Sequence, residues 1–233
     1  MWEHLCPHQA CHHGQEDDMD TSDPFSKAVA RYEAWFERHP HAYAAELAAV
    51  RAFIPAGVDG VEVGVGTGRF AAPLGIRTGV EPSEEMSALA RERGVKVVKG
   101  TAEQLPFADE RFDVVLMVTT LCFVPDADQA IDEALRVLRP GGRLVVGIID
   151  RDSVLGARYE AKKAGHLFYH DARFHSAAEV AALLAGHGCV DIESRQTLFS
   201  DPDAMTAPDA ELPGYGQGGF VVFKAVKPIP ARL

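Results

Sequence analysis

Val61-Glu62-Val63-Gly64-Val65-Gly66-Thr67-Gly68-Arg69-Phe70 is the stretch on which the fold turns. An apolar run ends in an acid, three glycines then alternate with other residues, and a helix is expected to follow. Glycines at these positions let the backbone swing sharply from strand to helix and let a ligand lie against the main chain. A second acid, Glu81, closes the next apolar run, where a carboxylate can accept both hydroxyls of a ribose. The two features together predict an adenosine-containing ligand above the carboxyl ends of parallel strands. A dinucleotide fingerprint reads G-x-G-x-x-G/A, its third small residue letting the helix pack closely on the strand. Counting from Gly64, that third position is Arg69, which is too bulky. The pattern here is G-x-G-x-G preceded by an acid. A tight turn with no ligand is the bland alternative that one glycine loop leaves open.

The 233 residues suit one α/β domain with a sizeable core. A formal net charge of −11 argues against a large nucleic-acid surface, which needs clustered Lys and Arg. It leaves room for a small cationic or neutral partner. No apolar run approaches the ~18 residues of a membrane span. No basic region followed by an apolar segment marks a signal peptide, so a cytoplasmic protein is expected. Cys122 and Cys189 fall in predicted core elements and read as reduced, buried thiols. His4, Cys6, His8, Cys11, His12 and His13 crowd the N-terminus and are zinc-ligand types. They lack a second, well-spaced ligand pair and run into Gln15-Glu16-Asp17-Asp18. The expectation is therefore a flexible tail over 1–23 and no metal, followed by a single domain over 24–233.

Residues 24–38 read as a helix, with Phe25, Val29, Tyr32 and Phe36 at helical spacing. A second helix is predicted over 42–53. Strands then alternate with helices: strands at 58–63, 77–80, 95–98, 112–118 and 143–149, helices at 69–74, 83–93 and 128–138. That rhythm implies a parallel sheet buried on both faces, and Val114-Val115-Leu116-Met117-Val118 has the continuous apolar character such burial requires. Residues 151–175 read as a connector rich in His, Tyr and Phe. Ser176 caps a helix through 186, and two last strands, 190–198 and 219–226, flank a loop rich in Pro, Asp and Gly, an ending suited to an antiparallel hairpin at the sheet edge.

Four further motifs carry a family resemblance. Gly100-Thr101-Ala102-Glu103-Gln104-Leu105-Pro106-Phe107 resembles a G-D-A-E-x-L-P-F segment, and Phe112-Asp113-Val114-Val115 an F-D-x-V strand opening. Leu135-Arg136-Val137-Leu138-Arg139-Pro140-Gly141-Gly142-Arg143-Leu144 resembles an L-R-V-L-K-P-G-G-x-L turn, and Tyr32-Glu33-Ala34-Trp35-Phe36 a Y-D-x-W-F ahead of the glycine loop. With the G-x-G-x-G loop, these resemble the class I S-adenosylmethionine (SAM)-dependent methyltransferases of the small-molecule type, typified by the ubiquinone and menaquinone biosynthesis enzymes. The resemblance covers residues 28 to about 150 well and the rest in outline. It implies a Rossmann-like three-layer sandwich whose mostly parallel, seven-stranded sheet ends in an antiparallel last strand. Lid helices would occupy 24–57 and an acceptor-side insert 151–187.

The resemblance also implies residue roles. Gly64, Gly66 and Gly68 would pass under the methionine and ribose part of SAM, Glu62 would face its ammonium directly or through water, and Glu81 would grip the ribose hydroxyls. The residue after Gly100 is often an acid that bonds the adenine amino group. Here it is Thr101, so that bond weakens or moves to Glu103, while Ala102 still offers its N–H. Val118 and Thr119 would border the methionine end, and Tyr32 joins the cofactor residues. Leu105 or Met86 would pack on adenine or belong to the core. Leu121-Cys122-Phe123-Val124-Pro125 stands where relatives often carry His or Trp, so no acceptor contact carries over.

Methyl transfer from a sulfonium needs positioning, and a general base only where the acceptor keeps its proton. Tyr159, His166, Tyr169, His170 and His175 in the connector, with His39, His41 and Tyr43, are the candidates. Of these, Tyr169 and His170 are expected to face a small-molecule acceptor, and the aromatic faces suit a cationic or amine one. The protein is expected as a monomer or homodimer. The alternatives are an NAD-dependent oxidoreductase on a related sheet, a non-catalytic SAM-binding module, and a methyltransferase of RNA or protein.

Overall fold

The structure is a computed structural model that describes residues 29–163 and 169–230. The Cys/His-rich N-terminus, the start of the first predicted helix and His166 lie outside those residues. Two helices, α1 (Val29–Arg38) and α2 (Pro40–Arg51), precede an alternation of β1 (Gly60–Val63), α3 (Ala71–Leu74), β2 (Thr78–Val80), α4 (Glu84–Glu92), β3 (Lys96–Val98), β4 (Phe112–Val118), α5 (Ala127–Val137) and β5 (Leu138–Ile149). Then come α6 (Val154–Lys162), α7 (Ala177–Gly186), β6 (Val190–Thr197), β7 (Leu212–Pro213) and β8 (Phe220–Val226).

Local chemistry sets these boundaries. Ser83 caps α4 by accepting from the Met86 N–H, and Asp126 caps α5 by accepting from Gln129. Ser176 and Glu179 form a reciprocal capping box on α7. Ser153 caps α6, a helix inside the segment expected to be a connector. β5 begins earlier than expected, running through Pro140-Gly141-Gly142 after an irregular step in its pairing with β4.

The sheet order is β3-β2-β1-β4-β5-β8-β6-β7. β1 to β5 are parallel, and β8 runs antiparallel to both β5 and β6. The eighth strand is the two-residue β7 on the outer flank of β6. The expected antiparallel hairpin forms between β6 and β8 at this end of the sheet, with β8 on its inner side against β5. The residues explain it: Phe220-Val221-Val222-Phe223 is apolar on both faces and buried, whereas Val190-Asp191-Ile192-Glu193-Ser194 alternates and is partly exposed. The interior Lys224 is neutralised by Glu193 on the neighbouring strand.

Helices cover both faces. Val115 and Met117 of β4 join Ile131 and Ala134 of α5 and Val180 and Leu184 of α7 in one core. Val114, Leu116 and Val118 join Ala42, Ala45 and Ala49 of α2 and Phe70 and Ile76 in the other. The resulting three-layer sandwich leaves the chain order reversing between β1 and β4, and in open α/β sheets ligands bind at the strand ends beside such a reversal. Cys122 and Cys189 are buried free thiols, and burial pushes the Cys122 thiol up to about 12.

Candidate active site

Above that reversal lies a cavity of about 620 Å³. Its floor is the glycine turn. Gly64 and Val65 donate to the Val80 carbonyl at 2.9 and 3.0 Å, which docks the turn on the end of β2. Gly64 and Gly66 take φ of +68° and +52°, values that side chains disfavour. A Cβ on Gly64 would stand 2.6 Å from two Thr120 atoms, and one on Gly66 would face the Tyr32 hydroxyl at 3.5 Å. Both glycines line the cavity. Gly68 does not: its missing side chain makes room for Ala90 of α4, whose Cα would lie 3.2 Å from a Cβ there.

Glu81 is 7% exposed. Its Oε2 accepts from the Gly66 N–H at 2.9 Å and its Oε1 from the Ser83 N–H at 3.1 Å, so the main chain fixes the carboxylate against the glycine turn. Glu62 lies behind that turn, outside the cavity's lining, with Oε2 buried and lacking a hydrogen-bond partner. Burial pushes its carboxyl well up, and the charge of Glu81 adds to the rise against a lowering by the Ala71 N–H. Thr101, Ala102 and Glu103 line the side beyond β3, and the buried Glu103 Oε1 also lacks a partner. Val118 and Thr119 line the end of β4, where Thr119 holds a φ of +48°. Such strain in a β-branched residue persists only where its surroundings enforce it. Here Thr119 donates to the Gly147 carbonyl at 2.8 Å.

α1, α2 and α6 form the roof. Tyr32, Trp35, His39, Glu46, Phe123, Leu155, Tyr159, Tyr169 and Asp203 line it. Tyr169 stacks between Tyr159 and Phe123, with ring centroids at 5.1 and 6.0 Å. His39 sits between two acceptors, the Trp35 carbonyl at 2.9 Å and Asp203 Oδ1 at 2.8 Å. Burial holds the Tyr169 phenol well above its usual range and pushes that of Tyr159 up to about 12.

The structure separates Tyr169 from His170. The His170 side chain is 65% exposed, bonds Asp171 at 2.8 Å and is absent from the cavity's lining. The aromatic stack draws Tyr169 inward, and the turn directs the next side chain to solvent. His41, His175 and Tyr43 also lie outside the main lining, and the Tyr43 hydroxyl donates to the Arg69 carbonyl.

Two features went unread in the sequence. Arg69, which reads only as bulky, pairs with Glu33 of α1, which also takes Arg93 at the C-terminal end of α4 at 2.5 Å and the Thr67 hydroxyl at 2.5 Å. This cluster ties the roof to the glycine turn. The second is Glu46. It occupies the buried stripe Ala42, Ala45, Glu46, Ala49, Val50 of α2, and an acid on an apolar stripe was the available signal. Burial alone pushes its carboxyl up to about 8.

That shift has a consequence for stability. The folded chain keeps the Glu46 proton to about pH 8, the unfolded chain only to about pH 4.5, so Glu46 withdraws stability as pH rises between those values. Glu46→Gln carries no such proton. Its stability relative to wild type should improve by up to ~1.4 kcal/mol per pH unit across that window and stay level above it. Denaturant unfolding of both proteins across the window checks this, and parallel curves would rule it out.

Does this donor set suit SAM? A buried carboxyl with one unpartnered oxygen beside a side-chain-free turn suits a cationic ammonium, which SAM carries. A fixed carboxylate at the end of β2 suits a diol. A second unpartnered carboxylate oxygen at Glu103 suits an amino group. The residues present fit the group.

Comparisons with known proteins agree. Residues 61–146 match the family described as a methyltransferase domain. A protein of Methanocaldococcus jannaschii is 45% identical over 203 residues, 87% of this chain and 98% of its own length. A Thermotoga maritima crystal structure, described as a SAM-dependent methyltransferase and possible histamine N-methyltransferase, is 50% identical. It superposes with a TM-score of 0.85, over 88% of this chain and 98% of that one. Magnesium protoporphyrin IX methyltransferase of Synechocystis, solved with bound S-adenosylhomocysteine (SAH), shares the fold at a TM-score of 0.63 and 17% identity, over 87% of this chain and 95% of that one. Identity and coverage of this extent, on a cavity with these donors, mean that the chain belongs to the SAM-dependent methyltransferases and uses SAM as its cofactor.

Proposed function

We propose that this methyltransferase acts on a small-molecule acceptor held in the aromatic chamber beneath α1, α2 and α6. The observation that carries the reading is the roof itself. Helical side chains from three elements and the loop at Asp203 close over the floor formed by the glycine turn, leaving a chamber of metabolite size. A net charge of −11 weighs against a nucleic-acid acceptor. Among the described residues no helix is long and apolar enough to cross a membrane. The Thermotoga relative, described as a possible histamine N-methyltransferase, also points to a small acceptor.

In this reading Glu81 receives the ribose hydroxyls, and Glu62 faces the ammonium from behind the turn. Gly64 and Gly66 permit close approach of the main chain. Thr101, Ala102 and Glu103 border the adenine, with the Glu103 carboxylate replacing the acid that Thr101 displaces. Val118, Thr119 and Tyr32 enclose the methionine end, and Gly68 contributes by packing the turn on α4. When bound, SAM supplies a methyl group on a sulfonium, an electrophile that needs no further activation. The chain's task is then to hold the acceptor's lone pair in line and exclude water, and the roof residues do both.

Tyr169→Ala should lower turnover by about 10–100-fold, because loss of its stack leaves the acceptor misplaced. SAH affinity should change by less than about twofold, and His170→Ala should leave both unaltered. Equal losses of affinity and turnover in Tyr169→Ala would remove Tyr169 from the acceptor wall. The reading as a whole is tested by incubating the protein with isotopically labelled SAM and fractionated cell extract. Label is expected in the low-molecular-weight fraction. Label confined to RNA or protein would contradict the proposal.

A further inference from the structure

We propose that Glu46 is the group that recognises the acceptor and that the acceptor is an amine, a step that rests on the chamber being the acceptor site. Glu46 is 5% exposed yet lines the cavity. None of the described residues hydrogen-bonds or ion-pairs with it. A carboxylate placed on the apolar stripe of α2 costs folding free energy, so its retention calls for a partner that arrives with the ligand. The partner must donate protons and carry or acquire positive charge. Trp35, Tyr159, Tyr169 and Phe123 present aromatic rings around the same space, and such faces attract ammonium groups. An anionic acceptor would be repelled by the ionised Glu46 itself; the other charges of the cavity are mixed, with Asp201 paired to Arg158 and Asp203 to His39. An alcohol would bring no positive charge to offset the carboxylate once Glu46 ionises.

The chemistry balances. An oxygen of ionised Glu46 takes one proton from the acceptor's ammonium, which frees the nitrogen lone pair. That pair forms the N–C bond as the C–S bond breaks, and the electrons of the broken bond remain on sulfur. The proton then leaves Glu46 through the open end of the cavity to water.

Amine affinity should rise with pH through the ionisation of Glu46. The groups electrostatically coupled to it are the phenols of Tyr32, Tyr43, Tyr159 and Tyr169, all held above their ordinary range by burial and therefore neutral from pH 7 to 9. Arg31, Arg38, His39, Asp203, Asp201, Arg158 and Lys162 line the same cavity. A His39→Gln control separates the influence of His39 from that of Glu46.

The test uses the SAH-loaded protein and the fluorescence of Trp35, with Trp2→Phe removing the other tryptophan. The probes are arylalkyl and imidazolylalkyl amines, each paired with its alcohol isostere. At least one amine is expected to bind wild type about tenfold or more tighter than its alcohol, and to lose about tenfold or more in Glu46→Gln. The alcohols should bind both proteins alike, and Glu46→Asp should recover part of the amine affinity. Undiminished SAH affinity in Glu46→Gln shows that the variant is folded. Failure of every amine to outbind its alcohol, or equal amine binding by wild type and Glu46→Gln, overturns the proposal. Binding of neither amines nor alcohols, with label found only in macromolecules, fails the chamber assignment itself.

Discussion

Glu81→Ala is expected to weaken SAH binding by about two orders of magnitude or more, measured by calorimetry, and this is the largest loss of affinity expected from one side chain. The carboxylate is buried, and main-chain N–H groups of Gly66 and Ser83 hold it at 2.9 and 3.1 Å. The carboxylate therefore has a fixed orientation. Two ribose hydroxyls donating to one carboxylate form charge-assisted hydrogen bonds worth ~1.5–3 kcal/mol each, which converts to ~10²–10⁴ in affinity. Glu81→Gln keeps one acceptor oxygen and should lose less. Because the same carboxylate steadies the glycine turn, part of the loss in Glu81→Ala is preorganisation. A Tm close to wild type would show that the turn persists. SAH binding unchanged in Glu81→Ala would remove this residue from the cofactor site.

The second large effect is on stability. Gly64→Ala should cost about 2–5 kcal/mol, combining a left-handed backbone at ~1–2 kcal/mol with overpacking at ~1–3 kcal/mol. The added methyl would meet Thr120 Oγ1 and Cγ2, both at 2.6 Å. Thr120 cannot turn away freely, because its hydroxyl donates to the carbonyls of Val63 and Val118 at 3.0 and 3.1 Å. Removing both obstructing atoms with Thr120→Ala leaves the Thr120 Cβ at 3.1 Å, a tight contact with far less to displace. The double variant is therefore expected to recover about half or more of the Gly64→Ala loss, a coupling above ~1 kcal/mol. Denaturant unfolding of wild type, both single variants and the double variant gives the coupling directly. Additivity within ~0.5 kcal/mol would mean that the turn and the end of β4 do not touch as described.

Much of this was legible in the sequence because it is written locally. β4 occupies Phe112–Val118, the residues its apolar run predicts, and Ser83 and Ser176 cap the helices they were expected to cap. The glycine turn and the acid ending β2 follow from spacing alone, and the structure brings Gly66 and Glu81 into contact. What the sequence did not disclose depends on pairings between distant segments. Which strand of the last hairpin lies inward rests on a comparison of the two-sided burial of β8 with the half-exposed β6. Arg69 reads as an obstacle to a dinucleotide helix until Glu33 and Arg93 are seen around it. Glu46 lies on a stripe whose spacing predicts core, and only the fold shows that this stretch of core borders a cavity. Tyr169 and His170 are neighbours in sequence, but burial separates them.

A crystal structure of the protein with SAH tests the central claim most directly. The account predicts both ribose hydroxyls within hydrogen-bonding distance of Glu81, the amino group reaching Glu62 directly or through one water, and the sulfur facing the chamber of Tyr169 and Glu46. SAH bound with its ribose away from Glu81, or with its sulfur turned from that chamber, would contradict it.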